Sequence, residues 1–201
     1  MIKITFDNNS LNTAQKFLTV SPLKVRKAAS NAIGRTVTSM RSKVSKHIRQ
    51  TYTARASSIK GTIVAKGPTR DKLQGTIRAS GSPLNLTHFR LLPNPMSIIK
   101  LYKTGRKPKR RKRPMRVQIK KRGVTASVPG LFIQKSSRSG YAGPMHRYTK
   151  TAYPIRIPYG PSVPQMFGSE DVLSTFTPES ERYLNKRFLH EIQRQFAEVK
   201  Q

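Results

Sequence analysis

Four histidines, eight carboxylates and no cysteine make up the chain's stock of metal ligands and acid–base groups. His47, His88, His146 and His190 lie in separate segments, without the short spacing that sets two imidazoles on one metal, and the carboxylates form no ligand-spaced cluster. No GxxxxGKS/T phosphate cradle, GxGxxG turn or GxSxG elbow is present, and Gly67-Pro68-Thr69-Arg70 matches none of them. The lack of cysteine excludes a disulfide scaffold, a thiolate-ligated zinc and a cysteine nucleophile together. The expectation is a protein that is not an enzyme and uses no metal and no cofactor.

The chemistry that remains is that of cations. Among 201 residues, 40 Lys and Arg face 8 Asp and Glu, a formal charge of +32, and self-repulsion on that scale opposes compaction unless anions are near. Between Lys103 and Arg122 stand Lys103, Arg106, Lys107, Lys109, Arg110, Arg111, Lys112, Arg113, Arg116, Lys120, Lys121 and Arg122, too dense a set of like charges to pack, so an extended basic loop is expected. Three readings stand. The loop can neutralise nucleic-acid phosphates, where about 6–10 contacts lose roughly 10³–10⁵ in affinity between 50 and 200 mM salt. It can dock on acidic protein subunits, supplying orientation and on-rate. Or it is a solvated loop. Tyr102 is the nearest aromatic, so a base-stacking platform is poorly represented and backbone contact is the nucleic-acid mode to expect.

These charges need elements to carry them. Ile2–Phe6 alternates like a half-buried strand and Asp7-Asn8-Asn9 reads as a turn. From Ser21 as N-cap and Pro22 at the first helical position, apolar residues recur at Val25, Ala28, Ala29, Ala32, Ile33, Val37, Met40, Val44 and Ile48, predicting an amphipathic helix to about Gln50. Its polar face holds Lys24, Arg26, Lys27, Arg35, Arg41, Lys43, Lys46 and Arg49 and no acid, so its counter-charges must come from elsewhere; Arg41 and Lys46 join the candidate contact residues. Thr53 is read as the cap of a short helix ending at Gly61. Strands are expected at Thr62–Lys66, Leu73–Ala79, Leu86–Leu92, Ser97–Tyr102, Val117–Lys120, Val124–Val128 and Leu131–Gln134, a loop at Ser136–Gly143, and an edge segment at Tyr153–Ile157. Thr177-Pro178 with Glu179 and Glu181 predicts the start of a closing helix whose apolar face is Leu184, Phe188, Leu189, Ile192, Phe196 and Val199. Six of the eight acids follow Gly168 and none lies between Lys72 and Gly168. The expected fold is α+β: a long N-terminal basic helix on a mainly antiparallel sheet, a large basic loop insertion at 103–122 and a C-terminal helix, all in one domain spanning 1–201.

Apolar stretches such as Leu131-Phe132-Ile133 fall far short of the roughly 18 residues a membrane span needs, and Asp7 stands where a signal peptide would be apolar, so a soluble, non-exported chain without a membrane partner is expected. In Val128–Gln134, Phe132 is either a core residue after a turn or an aromatic anchor at a subunit seam.

Asn31-Ala32-Ile33-Gly34-Arg35, the polycationic run Lys107–Arg113, Pro129-Gly130-Leu131-Phe132-Ile133-Gln134, His146-Arg147, Tyr153-Pro154-Ile155, Ile157-Pro158 and Val163-Pro164 with Phe167 together resemble, in order and spacing, the minor tail protein Z family of tailed phages, the tail completion proteins. The resemblance implies a virion protein acting late in tail assembly at the head-proximal end of the tail. It also implies the tail terminator, tail tube and head–tail connector proteins as partners, viral genomic DNA as a candidate ligand and a homo-hexameric ring. Phe132, Ile133, Tyr153, Ile155 and Phe167 become candidate interface or core residues. The rival reading is a general nucleic-acid-binding protein of ribosomal or nucleoid type, for which no RNP, KH or helix-turn-helix signature is present. A nucleic-acid enzyme ranks third, for want of clustered acidic metal ligands.

Overall fold

The computed structural model describes residues 4, 6–18, 21–69, 72–92, 94, 100, 115–136, 140–147, 149, 151 and 153–197. They fall into two compact units, one of Met1–His47, Thr62–Ser80 and Phe167–Gln201, the other of Ile48–Gly61 and Gly81–Met166.

In the first unit, α1 (Asn8–Leu18), most of α2 (Pro22–Thr51) and α5 (Glu170–Ala197) accompany the antiparallel hairpin β1 (Ile63–Lys66) and β2 (Thr76–Ala79). The 3.6-residue period of α2 puts Val25, Ala28, Ala29, Ala32, Ile33 and Val37 on one buried stripe, clustered with Ala14 of α1 and Leu184, Phe188 and Ile192 of α5. Alanines on the α2 side permit close approach, and aromatics fill the remaining space: Phe6 meets Phe188 at 4.6 Å and Phe17 stacks on Phe196 at 4.3 Å between centroids. Gly75 lets the hairpin close on α2, since a Cβ there would lie 2.3 Å from Val37 Cγ2.

The second unit is built of short antiparallel sheets: β3 (Pro83–Asn85) with β10 (Tyr159–Ser162); β4 (Arg90–Leu92), β5 (Arg116–Gln118) and β6 (Ala126–Ser127) in that order; and β7 (Leu131–Lys135), β8 (Ala142–Arg147) and β9 (Ile155–Arg156). It also holds α3 (Ala56–Lys60), and α4 (Val163–Phe167) reaches its end at Met166. Gly130, at φ +74°, turns the chain into β7 where a Cβ would meet Arg147 O at 2.8 Å.

The α+β class, the long basic helix, the small antiparallel sheets and the C-terminal helix agree with the sequence reading. Several local expectations do not. Asp7 is no turn residue: its Oδ1 accepts from Ser10 N at 2.8 Å and caps α1, and these Ser10 hydrogen bonds hold its carboxyl below the usual range. Thr53 caps nothing; its hydroxyl donates to the Gln118 carbonyl and accepts from Arg90 N at 3.2 Å, while Arg55 precedes α3. Leu86–His88 form a 3₁₀ turn between β3 and β4, with Asn85 Oδ1 capping Thr87 N. Of the expected loop at Ser136–Gly143, Ser136, Gly140 and Tyr141 lie outside the strands, but Ala142 and Gly143 open β8, a central strand that the sequence reading lacked. The closing helix begins at Glu170, where Ser169 O accepts from Val172 N and Leu173 N, so Pro178 lies inside it. Burial of Val172 and Phe176 on the same face outweighs the hydrogen bond that Pro178 cannot make. The expected strands at 2–6 and 97–102 lie outside the described residues, apart from Ile4 and Phe6, which pack on the core, and Lys100, which is helical.

Candidate basic interface

The acid-free face of α2 obtains its counter-charges from α5. Lys43 Nζ lies 2.8 Å from Glu179 Oε1, and buried His47 directs Nε2 to Glu179 Oε2 at 2.8 Å and Nδ1 to Thr175 Oγ1 at 3.3 Å. The Lys43 ammonium, above all through its hydrogen bond, holds the Glu179 carboxyl below the ordinary range. Higher on the same pair of helices, Glu191 is fully buried, with Arg35 Nε 3.2 Å from Oε1 and Arg194 Nη2 2.9 Å from Oε2; neither approach has the alignment of a hydrogen bond. These two acids thus serve three cations, Lys43, Arg35 and Arg194, and His47, and much of the positive face is left to solvent: Lys27, Arg41, Lys46 and Arg49 are exposed. Arg41 is nonetheless tethered, its Nε donating to Ile63 O at 3.3 Å.

Between α2 and α5 lies a groove of about 430 Å³ lined by Gly34, Arg35, Thr38, Ser39, Tyr183 and Arg187. Arg187 Nε donates to Tyr183 Oη at 3.2 Å, and with the Ser39 hydroxyl this bond lowers the phenol pKa, Ser39 contributing most. Lys43 and Arg187 also sit 5.2 and 5.3 Å from the Tyr183 ring centroid.

In the second unit, Arg116 is exposed on β5, and Lys120, Lys121 and Arg122 are exposed on the turn toward β6. Lys120 Nζ stands 6.0 Å from the Tyr52 ring, with the two residues bridged through their backbones. Lys103, Arg106, Lys107, Lys109, Arg110, Arg111, Lys112 and Arg113 lie outside the described residues. Phe132 and Ile133 are half-buried on β7, and the Arg147 guanidinium covers the Phe132 ring at 4.6 Å. Ile155 is half-buried on β9, and Tyr153 is 76% exposed. Phe167 is a core residue of the first unit, edge-on to Phe176 at 5.2 Å.

Of the candidate basic residues, Lys120, Lys121 and Arg122 lie together on the turn after β5, Arg116 opens that strand opposite Ser127, and Arg41 and Lys46 belong to α2. The sequence reading missed Arg187, Tyr183 and Glu191. Its available signal was Glu191 itself, an acid set one turn from Phe188 on an otherwise apolar helix face. Among the described residues, no group of three His, Cys, Asp or Glu stands close enough to hold a metal, and no helix is long and apolar enough to cross a membrane.

The segments that carried the family resemblance fall at structural joints: Asn31–Arg35 within α2 under the groove, Pro129–Gln134 at the Gly130 turn into β7, His146-Arg147 at the end of β8, and Val163-Pro164 opening α4. A family model described as prophage minor tail protein Z matches residues 11–201. The chain belongs to the prophage minor tail protein Z family. It is therefore a phage tail structural protein and a component of the virion, with other tail proteins as its partners. The matched region takes in α2, the basic tract and α5, so the paired helices of this minor tail protein and its cation excess are both within the family region. No curated protein and no solved structure matches the chain.

Proposed function

We propose that this minor tail protein completes the head-proximal end of the phage tail and helps join tail to head, without catalysis and without a cofactor. In this reading it acts as a single tail completion domain beside the tail terminator, the tail tube and the head–tail connector, as a homo-hexameric ring. Its basic surfaces contact the end of the viral DNA or acidic neighbouring subunits. The observation that supports the reading is family membership combined with the charge of +32, in which 40 Lys and Arg face 8 Asp and Glu. Six copies would repeat the exposed cations Arg116, Lys120, Lys121 and Arg122, with the tract from Lys103 to Arg113, around one axis, multiplying weak contacts without making any single residue indispensable.

The test replaces Lys109–Arg113 with Ser and Gly in the phage, images the particles and scores DNA delivery. Joined particles that fail to deliver DNA assign the tract to the genome. Unjoined tails, or tails lacking this subunit, assign it to protein docking and remove the DNA role. Unchanged infectivity removes the tract from function altogether.

A further inference from the structure

The groove between α2 and α5 has a donor arrangement that no step of tail joining described above uses. Arg187 is held by the hydrogen bond from its Nε to Tyr183 Oη at 3.2 Å, and Arg35 is drawn by ion pairing, Nε 3.2 Å from the buried Glu191 carboxylate. Among the described residues, no hydrogen bond engages the terminal Nη nitrogens of either side chain, and both line the same groove. A guanidinium oriented at Nε presents its remaining N–H donors as a fork that matches the paired oxygens of a carboxylate or a phosphate. Glu191, shared between Arg35 and Arg194, leaves that trio at net +1, and Arg187 adds a second positive charge at the groove. Glu179, which also meets α2, is already bound to Lys43 and His47.

We propose that this groove is a phosphodiester-binding site, in which the forks of Arg35 and Arg187 grip one backbone phosphate of DNA, with Thr38 and Ser39 beside it. The inference rests on the DNA-contact reading of the protein and gives it a place on the first unit, apart from the Lys103–Arg122 tract. One observation favours a phosphate over a protein carboxylate. Helix α2 continues the groove as a row of exposed cations, Lys27, Arg41, Lys46 and Arg49, which matches an extended polyanion that is read through its backbone. Glu191 is a positioning residue here: it orients Arg35 and does not face the ligand.

The test measures binding of the full-length protein to a fluorescein-labelled DNA duplex of mixed sequence by anisotropy across a KCl series. One phosphate contact contributes about 0.9 to the slope of log K against log salt. Arg187→Gln is therefore expected to flatten the slope by about 0.9, Arg35→Gln by the same amount, and the double variant by no more than either single one, because both forks serve one phosphate. Tyr183→Phe, which removes the anchor of Arg187 Nε together with the Ser39 hydrogen bond, is expected to weaken binding several-fold; Arg187→Lys, which keeps the charge and loses the fork, fails to restore it. Arg187→Gln and Tyr183→Phe leave the Glu191 ion pairs in place, so the test survives if Arg35→Gln does not fold, and far-UV circular dichroism monitors that. A wild-type slope unchanged by Arg187→Gln overturns the groove while leaving DNA contact elsewhere, which loss of slope on replacing Lys109–Arg113 would then locate. Additive losses from the two arginines overturn the shared phosphate. Absence of duplex binding by the wild type overturns the DNA reading itself, and binding of a poly-glutamate peptide that is abolished by Arg187→Gln reassigns the groove to a carboxylate.

Discussion

Removing the buried carboxylate Glu191 and removing its partners are expected to have unequal costs. Glu191 is inaccessible to solvent, whereas the side chains of Arg35 and Arg194 are 49% and 43% exposed. Glu191→Gln keeps the volume and abolishes the charge, and the guanidiniums it releases are already wetted, so the loss is that of partly screened pairs, about 1 kcal/mol. Arg35→Met combined with Arg194→Met instead strands a carboxylate where water does not reach, which costs about 3–5 kcal/mol. For a chain of this size each kcal/mol moves Tm by about 2–4 °C. The Gln variant is thus expected to melt about 2–4 °C below the wild type and the double Met variant about 6–20 °C below it. Thermal unfolding followed at 222 nm reads both, because α2 and α5 supply most of the helix signal of the first unit. Equal losses in the two variants, or a double variant as stable as the wild type, would refute the claim that the carboxylate is held in a closed site by these two cations.

Acid should weaken the α2–α5 contact through Glu179: its folded pKa lies below the ordinary 4.5, so its stabilisation is complete above that value and is lost as pH falls through the lower folded value. Lys43→Met is expected to flatten this acid limb, and urea midpoints taken on either side of about pH 4 test it. Gly75→Ala forces a methyl into Val37 and Ile33, and denaturant unfolding should show a loss of about 1–3 kcal/mol. Phe176→Ala removes a side chain only 1% exposed that packs edge-on to both His47 and Phe167, and should cost about 3–5 kcal/mol in the same assay. Gly130→Ala, at positive φ and against Arg147 O, is expected to lower Tm, whereas Gly140→Ala, also at positive φ but in open space, should lower it less.

The local patterns legible in the chain were those with a strong period or a strong cap. The α2 stripe repeats over thirty residues with no glycine or proline breaking it except Gly34, and tertiary burial merely selected the face its period had already marked. The hairpin β1–β2, strand β7 and the edge position of β9 were legible for the same reason, alternation bounded by turn residues. Where a local signal competed with packing, packing prevailed. Thr177-Pro178-Glu179 is a good helix start in isolation, yet burying Val172 and Phe176 carries α5 through the proline. Gly143 reads as the end of a loop, yet it and Pro144 lie in β8, paired with Gln134 and Ile133 of β7, while β9 pairs farther along at His146 and Arg147.

The sequence by itself determined the class of chemistry. A charge of +32 without cysteine, nucleotide-binding motif or ligand-spaced carboxylates requires anionic surroundings, and that follows from composition whatever the fold. Only the tertiary structure decided which cations are already neutralised and which stand ready for a partner. Glu179 and Glu191 lie well over a hundred residues from Lys43 and Arg35 along the chain, and no spacing rule predicts that α5 will deliver them to the acid-free face of α2. Ion pairing depends on distance in space, and a helix leaves open which other helix will pack against it; hence the Arg35–Arg187 groove became visible only once the two helices were side by side.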